Sequence, residues 1–136
     1  MIAVKTLHWI GGLVGLIALL LGLSYWIFQA NVISFHMLAG LLVTLSMLIL
    51  GIILAFTKGC RVLGIVGIVY ALILPIFGMS QMTLLVGDLH WLIRVAHLLV
   101  GLGALAIIGF MGRNFLKVRG HKQPQVAVSG ISTTQE

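Results

Sequence analysis

Acidic side chains are nearly absent: Asp88 and Glu136 are the only two in the chain. That scarcity removes the carboxylate clusters that calcium or magnesium sites need, and leaves no buried acid to complete a Ser/His/Asp arrangement. Cysteine is limited to Cys60. A single thiol excludes an intrachain disulfide, a zinc site built on several thiolates, and the Cys-x-x-Cys-His attachment of a c-type haem. Cys60 falls in the short stretch Lys58-Gly59-Cys60-Arg61 and reads as an incidental thiol on the reducing side. No Walker or dinucleotide-binding glycine motif occurs. Charged residues make up only 7% of the sequence, against roughly a quarter in a soluble domain. Apolar residues reach 61%, and the mean hydropathy is +1.24. A soluble globular domain is excluded; this is the composition of a membrane protein in contact with the lipid bilayer.

The apolar residues gather into four runs, at about 7–28, 33–56, 62–80 and 89–112. Each is near the ~20 residues that span a bilayer core as a helix. The first run follows Lys5 closely and lacks a clear small-x-small cleavage site, so it is read as a retained helix rather than a signal peptide. The connections are short, which implies antiparallel neighbours. Lys5, Lys58, Arg61, Arg113, Lys117, Arg119 and Lys122 then all fall on one side, and only Arg94 lies within a run. The net charge of +6 therefore reads through topology and not through nucleic-acid binding. The expected fold is all-α and integral to the membrane, a four transmembrane helix up-down-up-down bundle with both termini cytoplasmic. Residues 1–113 form the transmembrane domain. Residues 114–136 form a basic, polar tail with Pro124, expected to be disordered, whose His121 is given no ligand role. Pro75 is expected to kink the third helix, which otherwise reads as a packing wall.

The chemistry-bearing residues are histidines. His90 and His97 lie seven positions apart in the last run, on one helical face, with Arg94 near the same stripe. Ionisable groups inside a membrane helix face a partner, a cofactor or a cavity. His36 stands early in the second run, and His8 early in the first. Depth follows from the cytoplasmic anchors. His36 lies 22 positions before Lys58, or ~33 Å along a helix. His90 lies 23 positions before Arg113, or ~34 Å, and His97 16, or ~24 Å. His36 matches His90 best on this measure, but His97 is deeper and needs a partner more. Either one pairs with His36 as a metal ligand. Two imidazoles inside four apolar helices most naturally hold haem iron, non-covalently. Arg94 then meets a haem propionate or pairs with Asp88. His8, at the opposite face, is interfacial unless a ligand such as Met111 lies low in the last helix. Glycines beside the histidines, Gly40 after His36 and Gly101 after His97, serve close helix packing or make room for a flat macrocycle.

At Leu7-His8-Trp9, His36-x-x-x-Gly40 and Leu89-His90 the chain resembles the bacterial four-helix membrane-bound b-type cytochromes of the superoxide-oxidase and quinone-linked kind. The resemblance runs over about residues 4–113 and rests on short motifs. It implies a bacterial inner-membrane oxidoreductase or electron-transfer subunit with haem b, quinone and redox protein subunits as partners. It makes His36 and His90 ligands of an outer haem and His8 a ligand of an inner one. The second inner ligand falls at Ala104, which cannot coordinate iron, so one haem is implied rather than two. His97 has no counterpart in the pattern. The other class of function is a non-catalytic membrane subunit or scaffold without its own cofactor. No catalytic residue is assigned.

Overall fold

The structure is a computed structural model that describes residues 2–81 and 83–120. Four helices follow one another: α1 (Ile2–Phe28), α2 (Ile33–Ala55), α3 (Arg61–Ser80) and α4 (His90–Gly120). Each is long and apolar enough to cross a membrane. The expected runs and the helices agree closely at the internal ends, because the turns are marked by polar and glycine residues. The N-terminal end of α1 and the C-terminal end of α4 reach further than the apolar runs. Residues 114–120 continue α4, where Lys117 and Arg119 in the last turn favour the negative end of the helix dipole. That corrects the placement of 114–120 in a disordered tail; residues 121–136, with His121 and Pro124, lie outside the described residues.

Contacts along the helices give the topology. Gly22 of α1 faces His36 of α2, Gly64 of α3 faces Ala55 of α2, and Gly112 of α4 faces His8 of α1. Every sequential pair is thus antiparallel, and the bundle runs up-down-up-down. Its cross-section is a flattened rhombus: α2 touches α4 across the short diagonal, whereas α1 and α3 do not meet. Helix α2 is central. Val43, Met47, Leu50 and Leu54 form its inward stripe, packed with Ala71 of α3 and with Ala104, Ile108 and Met111 of α4. These positions recur at intervals of three and four, which keeps them on one face.

The tightest seam joins α2 and α3. A Cβ added at Gly64 would collide with the Ala55 backbone nitrogen, so only glycine lets these helices approach so closely. The turn between them uses Gly59 at φ +90, a conformation costly for other residues. Helix α3 is held to α4 by the Tyr70 hydroxyl, which donates to the Val100 carbonyl at 2.9 Å. Gly103 leaves the space that the Tyr70 ring fills. Pro75 is accommodated inside α3 without ending it.

Large apolar side chains cover the outside. Leu13 is 61% exposed, Val62 78%, Ile76 69% and Leu99 62%. In water such continuous apolar surface would drive aggregation; a hydrocarbon surround removes the penalty.

Candidate histidine site between the second and fourth helices

The basic residues Lys5, Lys58, Arg61, Arg113, Lys117 and Arg119 mark one end of the bundle, and the His36 and His97 rings meet in its other half. Their ring centroids are 5.9 Å apart with an interplanar angle of 61°. His36 projects from the first turn of α2 towards α1, where its Nδ1 lies 2.8 Å from the Ala18 carbonyl oxygen. Accepting an N–H from Nδ1, that carbonyl fixes the tautomer and leaves Nε2 bare. Gly22, one turn further along α1, makes room for the ring: a Cβ there would stand 3.0 Å from His36 Cε1. His97 comes from α4. Its ring is stacked against Phe77 of α3, 6.1 Å between centroids and nearly parallel at 5°. Its Nδ1 is buried and has no hydrogen-bond partner among the described residues. A buried imidazole nitrogen without a partner is costly.

The other candidates lie apart from this pair. His90 begins α4, and its Nδ1 is 3.4 Å from the Leu84 carbonyl in the preceding loop. Arg94, one turn before His97, is exposed. His8 is at the basic end, packed on Gly112 with Nδ1 3.1 Å from the Ile108 carbonyl. Met111 turns towards Gly67 of α3 and is fully buried there.

Depth counting paired His36 with His90; the fold pairs it with His97. The reason is the anchor. Arg113 is not level with the α2–α3 turn, because α4 continues past it. Gly59 of that turn lies beside Val118, whose methyl carbons would be 3.7 Å from a Cβ there. Measured from Val118, His97 is 21 positions away, ~32 Å along the helix, close to the ~33 Å found for His36. The residues that sequence reading left out are Ala18 and Phe77; Phe77 sits in a helix with no polar landmark.

The buried, unpartnered His97 Nδ1 and the carbonyl-oriented His36 ring are imidazole donors of the type that can hold a metal ion. Gly40 and Gly101, each one turn beyond its histidine, face open space: a Cβ at either would meet nothing within 4 Å. Among the described residues no group of three or more His, Cys, Asp or Glu side chains gathers as a metal site. No family model, no curated protein and no solved structure matches this chain.

Proposed function

We propose that the chain is a small integral membrane b-type cytochrome, with both termini cytoplasmic, that passes electrons between a quinone pool and a redox partner at the outer face of a bacterial inner membrane. The observation that carries this reading is the His36–His97 pair, 5.9 Å apart, with a buried His97 nitrogen left unpaired. In it His36 and His97, not His90, would hold the haem. Haem held by two imidazoles would supply one-electron chemistry, suited to electron transfer rather than oxygen binding. The Ala18 carbonyl holds His36 in one orientation, as hydrogen-bonded backbone groups orient metal-ligating histidines. Phe77 does the same for His97 by stacking. Arg94, exposed and one turn before His97, would be the cation that neutralises a carboxylate of the macrocycle.

Visible spectra of protein purified from haem-replete cells test the reading. A Soret band with sharp reduced α and β bands is expected, with one haem per chain by pyridine haemochrome. His36→Ala and His97→Ala should each abolish the six-coordinate spectrum, and His90→Ala should leave it. Absence of haem in the wild type sinks the reading.

One observation favours a scaffold reading. The His36, His97 and Phe77 rings lie within the 4.5–7 Å range of ordinary aromatic contacts, as packing alone would have them. It expects His36→Phe and His97→Phe to assemble normally and the wild type to be colourless.

A further inference from the structure

The basic end holds a second cluster of polar groups that the haem reading does not use. Lys5 and His8 of α1, one turn apart, line a cleft of about 250 Å³ with Val4, Trp9, Gly112 and Leu116. His8 is fixed there by its Nδ1 contact to the Ile108 carbonyl and by its seat on Gly112. Its other ring nitrogen is left for a ligand. Trp9 is 74% exposed, with an indole N–H to donate. Lys5 is exposed and has no anionic partner among the described residues.

Basic side chains predominate at this end among the described residues. Lys5, Lys58, Arg61, Arg113, Lys117 and Arg119 gather there, yet of the two acids in the chain Asp88 lies in the loop at the opposite end and Glu136 outside the described residues. Among the described residues no carboxylate lies near Lys5. Two of the neighbouring cations are already placed over rings, Arg113 over Phe110 and Arg119 over Phe115. Lys5 and His8 are the ones that share a cleft. From Trp9 an exposed apolar stripe, Leu13, Leu16 and Leu20, runs along α1 towards the middle of the bundle. A phosphate in the cleft and a hydrocarbon chain on that stripe match one ligand.

We infer that the α1–α4 cleft at the basic end is a binding site for an anionic phospholipid, its phosphate held by Lys5, His8 and the Trp9 indole and an acyl chain lying along Leu13, Leu16 and Leu20. The cleft is too small for a large cofactor but suits a phosphate and glycerol group, and the surrounding cations add a long-range attraction for negative headgroups. This site does not rest on haem binding, and its failure leaves that reading untouched.

Native mass spectrometry of the detergent-purified full chain, titrated with phosphatidylglycerol or phosphatidylcholine, tests it. Phosphatidylglycerol should be retained in preference to phosphatidylcholine. Lys5→Gln, at an exposed position that does not endanger folding, should weaken its retention about five-fold. Lys58→Gln, at the same end but outside the cleft, should change it far less. Inorganic phosphate at millimolar concentration should fail to displace the lipid. The inference is overturned if the two lipids bind equally, if Lys5→Gln is silent, if Lys58→Gln has as large an effect as Lys5→Gln, or if free phosphate competes and so is itself the ligand.

Discussion

Two glycines on α1 and α2, both near His36, show how differently one residue type can act. Gly22 is pressed by the His36 imidazole, whereas Gly40, in the His-x-x-x-Gly pattern that drew attention in the sequence, touches nothing on the side its Cβ would occupy. Gly22→Val should push the His36 ring off the Ala18 carbonyl. In the cytochrome reading this lowers haem occupancy in purified protein several-fold and broadens the low-spin bands, while Gly12→Ala, at a position with open space, leaves both unchanged. Equal haem content in the two variants would remove Gly22 from the site. Phe77→Leu keeps apolar volume but loses the stacked face, and should loosen the orientation of His97 without unfolding α3. Electron paramagnetic resonance of the oxidised protein reads that change as a spread of g values.

The element that governs stability is α2, and its seam with α3 is the least forgiving place in the chain. Gly64→Ala puts a methyl group against the Ala55 backbone, where neither side chain nor helix can yield cheaply. A loss of about 1–3 kcal/mol is expected in detergent unfolding followed by circular dichroism. Tyr70→Phe removes the hydroxyl that ties α3 to α4 and should cost only about 0.6 kcal/mol, the average for hydrogen bonds between membrane helices. A Tyr70→Phe loss larger than that of Gly64→Ala would mean that the α3–α4 seam, not the α2–α3 seam, holds the bundle. The rhombic cross-section explains the ordering: α1 and α3 have no contact with each other, so each relies on α2 and α4.

For the whole molecule the deciding quantity is the distribution of charge along the bundle axis. Six of the described basic residues stand at one end, and the opposite turns hold only Asp88. Lysines and arginines are retained on the cytoplasmic side during insertion. Terminal reporter fusions should therefore be cytoplasmic in the wild type. Replacing Lys58 and Arg61 by glutamine while introducing Asn31→Lys and Thr83→Lys should shift a measurable fraction of chains to the inverted orientation. A wild type with both reporters outside would reverse the assignment of faces and move the histidine pair to the cytoplasmic half.

Much of this protein was legible before any fold was known. Four apolar runs of near-equal length, punctuated by short polar turns, set the number of helices, their order and their alternating direction, because a bilayer accepts little else from such a chain. The histidines as candidate residues were also legible, since besides the tyrosines only they and Arg94 are ionisable within the apolar runs. Which histidines meet was not. Depth counted along each helix depends on where its anchor sits, and the extension of α4 past Arg113 to Gly120 could be seen only when Gly59 was found beside Val118. That shift of five positions, ~7.5 Å along the helix, brings His97 rather than His90 closest to the depth of His36. Sequence settles what lies on one helix, through the 1.5 Å rise and the 3.6-residue turn. The offset between helices is set by side chains meeting across a seam, Gly64 on Ala55 and Gly22 on His36, and only the tertiary structure contains it.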